Sequence, residues 1–189
     1  MYKIDAKGLV CPKPVILAKK ALVQHDTIHI EVDNSASKEN LEKMAVVMGL
    51  ESETKSEGNI YAITLSKTES TKLETEKSEA YIIVINREFM GSGSEELGNA
   101  LMKSFIYTVT ETEEPPKTIL FYNGGVKLTT KGSQVLGDLE KLSQNNVEIL
   151  SCGTCLNYYG LSDALEVGEI TNMYEILKRQ QEAGKVLYV

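Results

Sequence analysis

A polar segment about a third of the way along the chain is the feature that most constrains its fold. Residues 66–79 read Ser-Lys-Thr-Glu-Ser-Thr-Lys-Leu-Glu-Thr-Glu-Lys-Ser-Glu, so a single leucine is the only apolar side chain in the stretch. Such a segment cannot bury enough apolar surface to order itself. We therefore interpret residues 67–79 as a solvated linker and predict two domains, at 1–66 and 80–189.

The composition is that of a globular protein and excludes one class of function. The chain has 189 residues, of which 42% are hydrophobic and 25% charged, and its formal net charge is −7. This mixture is sufficient to bury a core. Non-specific nucleic-acid binding depends on clustered Lys and Arg. Because no basic run is longer than Lys19-Lys20, we expect no non-specific binding to nucleic acid and no direct nucleic-acid partner, although the composition leaves a specific RNA contact open.

The sequence shows no apolar run typical of a membrane helix or a signal peptide. Every apolar run is shorter than the ~18 residues of a membrane helix, and the first residues, Met-Tyr-Lys-Ile-Asp, lack the apolar core of a signal peptide. We therefore expect a cytoplasmic protein with no membrane partner. In that reducing compartment, three cysteines indicate thiol chemistry, metal ligation or burial rather than disulfides.

The first domain is predicted to be a two-layer α+β sandwich of βαβαββ order. Strands are predicted at 2–5, 27–33, 51–56 and 60–65, and helices at 12–23 and 37–48. The second helix has Ser37 as a plausible N-cap and Gly49 at its C-terminal end. Ile28, Ile30 and Val32 alternate with polar residues, which predicts a strand covered on one side only.

The second domain is predicted to be a three-layer α/β domain with a mostly parallel sheet. Strands are predicted at 80–85, 118–122, 147–151 and 185–189, and helices at about 94–107, 131–144 and 171–183. The strands are almost continuously apolar, which indicates burial on both faces. Strands that alternate with helices in this way favour a parallel sheet.

Cys11 stands directly before Pro-Lys-Pro at the predicted start of the first helix. Pro12 suits this position, because the first helical turn does not use the N–H that proline lacks. The free amides and the helix dipole favour a thiolate, so we expect a pKa below the ordinary ~8.5, with Lys13 adding to the effect. Such a thiolate could hold sulfur or selenium as a persulfide or selenosulfide. The alternative is a small buried residue that fills space.

Three loops follow predicted strands of the second domain. They are residues 86–93, Asn123-Gly124-Gly125-Val126 and Cys152-Gly153-Thr154-Cys155. In an open parallel sheet all three emerge at the carboxyl edge, where ligand sites form. Their glycines and amides could bind a persulfide or a small oxyanion, with Arg87 and Lys127 as counter-charges.

Several kinds of chemistry are open to the Cys152-x-x-Cys155 pair. A dithiol can exchange disulfides, bind zinc, or present one nucleophile beside a second thiol. Zinc is the weakest interpretation, because its other ligands would have to come from Cys11, His25 or His29 in the first domain. Burial of both thiols at a strand end is the structural alternative.

The residues around Cys11 resemble those of a known family. Residues 5–14, Asp-Ala-Lys-Gly-Leu-Val-Cys-Pro-Lys-Pro, resemble the signature of the TusA/SirA-type sulfur carriers, and the predicted βαβαββ order is similar to their fold. In that family the cysteine of the Cys-Pro-x-Pro element carries persulfide sulfur in relays, for example toward tRNA thiolation. The resemblance implies this role for Cys11.

The second domain carries another resemblance. Residues 147–160, Val-Glu-Ile-Leu-Ser-Cys-Gly-Thr-Cys-Leu-Asn-Tyr-Tyr-Gly, resemble the DsrE-like segment in which a strand leads into a cysteine eight residues before a glycine. This spacing implies Cys152 as the reactive thiol, with Cys155 as an additional one. The order of the two domains resembles the YedF proteins associated with selenium metabolism. Relatives of the second domain self-associate, so a homo-oligomer through that domain is implied.

These observations predict a chalcogen carrier, a persulfide relay of the sulfurtransferase kind in sulfur or selenium metabolism. Cys11 would exchange the atom with Cys152, and the partners would be donor and acceptor proteins, a desulfurase among the donors. A coil of about fourteen residues spans roughly 20 Å and gives millimolar effective concentrations. The alternative is a non-catalytic module that binds a small anion or senses oxidation. We expect neither a metal nor another cofactor.

Thiol labelling tests the chemistry predicted for Cys11. We expect iodoacetamide to modify Cys11 faster than a free cysteine of ordinary pKa at about pH 6 to 7, because a lowered pKa leaves more thiolate. Pulsed labelling followed by mass spectrometry of the peptide gives the rate. A rate no faster than that of the free cysteine would remove the chemical basis of the carrier role.

Overall fold

The computed structural model describes residues 1–10, 12–69, 71 and 80–189. The chain forms two compact units, Met1–Glu76 and Lys77–Val189. Cys11 and most of the predicted linker, residues 70 and 72–79, lie outside the described residues. The expectations for these positions stay predictions.

The first residues of the predicted linker contact the first unit. Lys67 Nζ lies 3.1 Å from Asp26 Oδ1, and the Thr68 hydroxyl donates to the Gly49 carbonyl oxygen at 2.8 Å. The ordered contacts of the first unit therefore extend past its last strand.

The first unit is a four-stranded mixed sheet with two helices. Its elements are β1 Tyr2–Asp5, α1 Lys13–Gln24, β2 Thr27–Val32, α2 Ser35–Met48, β3 Glu51–Glu57 and β4 Ile60–Ser66. The strand order is β1-β2-β4-β3, with β1 parallel to β2 and the other two pairs antiparallel. The predicted βαβαββ order is confirmed.

The core of the first unit lies between the sheet and the helices. Along β2, Ile28, Ile30 and Val32 are fully buried and alternate with half-buried residues. They belong to one cluster with Leu22 of α1 and Leu41 of α2, so both helices cover the same face of the sheet. Burial of each such side chain contributes about 1.5–3 kcal/mol. The predicted two-layer sandwich is therefore confirmed.

The cap of α2 differs from the sequence prediction. The helix begins at Ser35, and the Asn34 side chain accepts a hydrogen bond from the Ser37 backbone N–H at 2.8 Å. Asn34 is therefore the N-cap, and Ser37 is the residue whose amide is capped. Gly49 ends the helix with a left-handed φ of 66°, as predicted.

The second unit contains a five-stranded sheet. Its elements are β5 Tyr81–Ile85, α3 Glu95–Thr110, β6 Thr118–Phe121, α4 Leu136–Gln144, β7 Glu148–Cys152, α5 Gly153–Tyr158, β8 Glu169–Thr171, α6 Met173–Glu182 and β9 Lys185–Tyr188, with short 3-10 helices at Asn123–Thr129 and Ser162–Ala164. The order is β8-β7-β6-β5-β9, and all four pairs are parallel. The prediction of a mostly parallel sheet is confirmed.

Helices cover both faces of this sheet. The connections β5 to β6 and β6 to β7 run in one direction across the sheet, whereas the connection from β8 to β9 runs in the other. Since such crossovers are right-handed, α3 and α4 lie on one face and α6 on the other. Ile106, Leu139 and Ile176 are the buried anchors of the three helices. The second unit is thus the predicted three-layer α/β domain.

In the second unit, α3 ends at Thr110, three residues beyond the prediction, and two other helices begin later than predicted. The helix predicted at about 131–144 begins only at Leu136, because Thr130 pairs with Leu165 in an isolated β-bridge. The last helix begins at Met173, after the edge strand β8. With three residues, β8 is too short to show the alternation that predicts a strand.

The helices are short. At 16 residues, α3 is the longest in the described part of the chain. A transmembrane helix needs about 20 mainly apolar residues. Among the described residues, no helix combines the length and the apolar character that crossing a bilayer requires.

Gly168 shows how tightly the chain packs between β7 and β8. Its φ is +82°, and an added Cβ would lie 2.3 Å from the Ile149 carbonyl oxygen. We expect Gly168→Ala to lower the free energy of unfolding of the second unit by at least about 2 kcal/mol, because left-handed strain adds to a backbone clash. Urea unfolding followed by circular dichroism measures the loss.

Gly137→Ala is the matched control for this experiment. Gly137 lies in α4, and an added Cβ would meet nothing within 4 Å. Alanine is favoured over glycine in helices, so this variant should be neutral or slightly more stable. Equal losses in the two variants would contradict the packing argument.

Candidate functional site

The carboxyl ends of β5, β6 and β7 lie side by side. The three strands are neighbours in the sheet, and Ile85, Phe121 and Ser151 are paired in register across it. The loops that follow these strands therefore leave the sheet at one edge, where ligand sites form in open α/β sheets. The structure brings together all three loops that the sequence singled out.

One of two adjacent glycines, Gly125, lets the loop after β6 lie directly on the end of β5. A Cβ added at Gly125 would lie 2.2 Å from the Ile85 carbonyl oxygen, so no larger residue fits without a shift of the backbone. A Cβ at Gly124 would lie 3.6 Å from the Glu88 nitrogen, which is an ordinary contact. Packing therefore explains Gly125, whereas Gly124 has room for a side chain.

Asn123 opens the 3-10 helix in an unusual backbone conformation. Its φ is +49°, in the left-handed region that asparagine tolerates better than most residues. In this conformation its backbone N–H donates a hydrogen bond to Sγ of Cys155 at 3.1 Å. The Tyr159 hydroxyl donates to Asn123 Oδ1 at 2.9 Å. The Asn123 backbone and side chain are thus both bonded to the segment that carries the cysteines.

Cys152 and Cys155 differ in accessibility. Cys152 is the last residue of β7 and is 2% exposed, whereas Cys155 lies in α5 and is half-buried. Cys152 immediately precedes α5 and Cys155 lies in its first turn, so the two thiols are neighbours. Cys155 is therefore the thiol that a reagent reaches more easily. The resemblance to DsrE-like proteins favours Cys152, and the identity of the reactive thiol stays a prediction.

Burial raises the pKa of the Cys155 thiol above its ordinary value, and the hydrogen bond and charge of Cys152 raise it further. The N–H of Asn123 acts in the opposite direction, because it stabilises the thiolate, but its effect is smaller. Burial and the neighbouring Cys152 therefore favour the protonated form of the Cys155 thiol.

Gly153 packs the start of α5 against the edge strand β8. An added Cβ would lie 2.8 Å from Ile170 Cγ2 and 3.4 Å from the Thr171 carbonyl oxygen. The absence of a side chain lets the cysteine segment approach β8 closely. Close packing accounts for this predicted binding residue in the same way as for Gly125.

The two predicted counter-charges are engaged by groups of the protein. Lys127 Nζ lies 2.7 Å from Glu88 Oε2 and 5.2 Å from the centre of the Tyr159 ring. Arg87 donates a hydrogen bond to the Gly91 carbonyl oxygen at 3.0 Å. Both cations thus brace the loops, and Lys127 contacts the tyrosine that holds Asn123.

A groove of about 520 Å³ lies beside this network. Its walls include Glu88 and Lys127 together with polar residues of α3, but neither Cys152 nor Cys155 lines it. The groove is therefore a neighbour of the thiol pair and does not contain it. Within the described residues, no group of three or more His, Cys, Asp or Glu side chains is arranged to hold a metal ion.

Pro12 and Lys13 begin the first helix where the sequence predicted it. The Lys13 backbone N–H donates to the Val10 carbonyl oxygen at 3.1 Å, and the Ile16 N–H donates to the Pro12 carbonyl oxygen at 3.2 Å. Pro12 is half-buried and the Lys13 side chain is exposed. Cys11 lies outside the described residues, so its position at the start of this helix stays a prediction.

A charged network that the motif did not reveal holds the loop before Cys11. Lys7 Nζ lies 2.6 Å from Glu31 Oε2 and 3.2 Å from Asp5 Oδ1, and the Gly8 N–H donates to Asp33 Oδ2 at 2.8 Å. The hydrogen bond to Glu31 raises the pKa of Lys7, and the same bond lowers the pKa of Glu31. The network depends on the parallel pairing of β1 with β2, which places Asp5 opposite Glu31. No local motif in the sequence marks that pairing.

Comparison with known families assigns both units. The family model described as "Sulfurtransferase TusA" matches residues 2–67, and the DsrE/DsrF-like family model matches residues 80–189. The chain belongs to the DsrE/DsrF-like family. Its N-terminal part is a TusA/SirA-like domain. Both resemblances predicted from the sequence are confirmed at the level of the two families.

Two solved structures are similar to part of the chain. A SirA-like protein from Desulfitobacterium hafniense is 42% identical and covers 36% of this chain and 100% of its own, with a TM-score of 0.34. The ychN protein from E. coli is 25% identical and covers 59% of this chain and 100% of its own, with a TM-score of 0.47. No curated protein sequence matches the chain.

The influence of Cys152 on Cys155 can be measured. We expect Cys152→Ala, in a Cys11→Ser background, to lower the pKa of Cys155, because it removes the neighbouring sulfur that disfavours the thiolate. The pH at which iodoacetamide modifies Cys155 at half its maximal rate should therefore fall. Mass spectrometry of the peptide gives this value.

Thr154→Ala is the control for this measurement. Thr154 is exposed and lies between the two cysteines, so its removal changes the same helical turn without removing a thiol. The midpoint for Cys155 should stay where it is in the unsubstituted pair. A midpoint that is unchanged or higher in Cys152→Ala would show that Cys152 does not raise the pKa of Cys155.

Proposed function

We propose that this protein is a sulfur or selenium carrier that relays the atom on cysteine as a persulfide or selenosulfide. Both of its families are related to sulfur relay, which supports a carrier-like role. The observation that carries the proposal is the accessible Cys155 thiol, held by the Asn123 N–H at the carboxyl edge of the sheet and backed by a second thiol. Cys11 is the proposed carrier thiol of the first unit.

The proposed transfer exchanges one bond between sulfur atoms. A thiolate of the Cys152 and Cys155 pair attacks the outer sulfur of a Cys11 persulfide. A new S–S bond forms on the pair, the old bond breaks, and Cys11 leaves as a thiolate. No oxidant is needed, because one persulfide replaces another. The same exchange works for selenium held as a selenosulfide.

The acidities of the thiols give this transfer a direction. A thiol of low pKa is the better leaving group, and a thiol of high pKa is the stronger nucleophile once it is deprotonated. Cys11 is expected to have a lowered pKa, whereas burial and Cys152 raise the pKa of Cys155. We therefore propose that the atom moves from Cys11 to the pair, within one chain or between two.

The remaining predicted residues have supporting roles in this proposal. Pro12 and Lys13 would set the start of the helix beside Cys11, and Asn123 would orient the accepting sulfur. Gly125 and Gly153 would keep the loops close enough for that contact, and Gly124 would leave space beside it. A cysteine desulfurase is the proposed kind of donor.

Self-association through the second unit is also part of the proposal. Its support is a set of exposed apolar side chains on β8 and α6, namely Ile170, Met173, Tyr174 and Leu177, each more than half exposed. Exposed apolar surface of this kind is typical of contacts between proteins.

Loading by a desulfurase tests the proposal. The full chain is incubated with a cysteine desulfurase and cysteine, and its peptides are analysed by mass spectrometry under non-reducing conditions. In the Cys152→Ser variant, which keeps Cys155 as the single thiol of the pair, we expect one added sulfur on the Cys11 peptide and one on the peptide that contains Cys155. When Cys11→Ser is added to this variant, loading of the second peptide should fall at least about tenfold, because the tethered donor is lost.

Thr154→Ala serves again as the control, since it keeps all three thiols and should load as the unsubstituted chain does. If neither cysteine peptide gains sulfur or selenium, the carrier function is wrong. If the Cys155 peptide loads equally well without Cys11, the proposed direction of transfer is wrong.

A further inference from the structure

The two units differ in the number of thiols that they offer. The chain has three cysteines, and Cys11 is the only one in the first unit. Cys152 and Cys155 are free, adjacent in space and three residues apart. A persulfide on Cys11 therefore has no second thiol of its own unit to react with. A persulfide on Cys155 lies next to one.

The backbone around the pair suits a disulfide. Cys152 is the residue immediately before α5, and Cys155 lies in the first turn of that helix. The rise and radius of an α-helix place Cα atoms of residues three apart at about 5 Å from each other, and disulfides join Cα atoms about 4.4–6.8 Å apart. An S–S bond between the two cysteines therefore requires little movement of the backbone.

We propose that Cys152 discharges a persulfide on Cys155 and releases the carried sulfur as hydrogen sulfide. This inference rests on the proposed function, which supplies the persulfide. The Cys152 thiol gives up its proton, and its sulfur forms a bond with Sγ of Cys155. The bond between Sγ and the outer sulfur breaks, and the outer sulfur leaves with the electron pair and a proton. The two cysteines are oxidised to a disulfide, and the carried sulfur is reduced to sulfide.

The positions of the two thiols assign their roles in this step. Cys155 is half-buried and receives the sulfur, whereas Cys152, at 2% exposure, attacks from the protein interior. The Asn123 N–H, 3.1 Å from Sγ of Cys155, holds that sulfur beside Cys152. Because the Tyr159 hydroxyl fixes the Asn123 side chain, this arrangement persists while the outer sulfur departs.

The step has consequences for what precedes and follows it. The disulfide must be reduced before another turnover, so a dithiol reductant has to act on the pair. The product is a free sulfide nucleophile, or a selenide when the pair carries selenium. The reaction that consumes it must therefore be one that takes the reduced chalcogen rather than a persulfide.

Single-turnover sulfide release tests this inference. The full chain with Cys11→Ser is loaded with inorganic polysulfide, freed of excess reagent and left without reductant. We expect sulfide, trapped with monobromobimane, to appear together with a Cys152–Cys155 disulfide in the peptide mass spectrum. In the further variant Cys152→Ser, the persulfide should stay on Cys155 and sulfide release should slow at least about tenfold, until a dithiol is added.

Controls separate a failure of this step from a failure of the carrier function. Thr154→Ala should release sulfide as the parent chain does, and Cys152→Ala should repeat the result of Cys152→Ser if the lost thiol is the cause. If Cys155 holds its persulfide equally long with and without Cys152, the discharge is wrong and the carrier function stands. If Cys155 in Cys152→Ser takes up no sulfur, both are wrong for the second unit.

Discussion

The register of the parallel sheet is the constraint on which the candidate site depends. Ile85, Phe121 and Ser151 lie in one row, so β5, β6 and β7 end at the same level. Had one strand been shifted by two residues, its loop would have moved by about 6.6 Å relative to the others. The hydrogen bond between Asn123 and Cys155 joins the loops after β6 and β7, and it exists only because those two strands end together.

The described residues of the two units hold their loops by different interactions. In the first unit, charged side chains hold the loop before Cys11, with Lys7 between Asp5 and Glu31. In the second unit, Cys155 meets a backbone amide and another thiol, and burial raises its pKa. Exposed ion pairs contribute little to stability, so the first network orients a loop more than it stabilises a fold.

Periodicity predicted the architecture because burial dictates it. The alternation in β2 and the continuous apolar strands of the second unit report which faces are covered, and both sheets agree with that pattern. Competition between two possible capping residues, or between a helix start and a strand pairing, was harder to predict. Asn34 and Ser37 are both good caps, and only the course of the chain after β2 decides between them. Likewise, Thr130 pairs with Leu165, a partner remote in sequence, and so delays α4.

The candidate site was predicted as a set of loops but not as a set of contacts. Strand ends and glycines marked the right segments, since parallel strands share a carboxyl edge. The bond from Asn123 to Cys155 could not be predicted, because it needs the left-handed φ of Asn123 and the strand order together. Tyr159 and its neighbour Tyr158 look alike in the sequence, yet only the fold shows that the Tyr159 hydroxyl reaches Asn123.

The glycines of these loops illustrate why a glycine-rich turn is weak support for an anion site. Gly125 is confined by the Ile85 carbonyl oxygen and Gly153 by Ile170, so each lacks a side chain for reasons of packing. In the same loop as Gly125, the backbone N–H of Asn123 donates a hydrogen bond to Sγ of Cys155. A backbone N–H stabilises a thiolate by the same electrostatics that hold an oxyanion. In these loops a backbone N–H of the kind that binds anions therefore contacts Sγ of Cys155. The two nearby cations, Lys127 and Arg87, contact Glu88 and the Gly91 carbonyl oxygen within the protein.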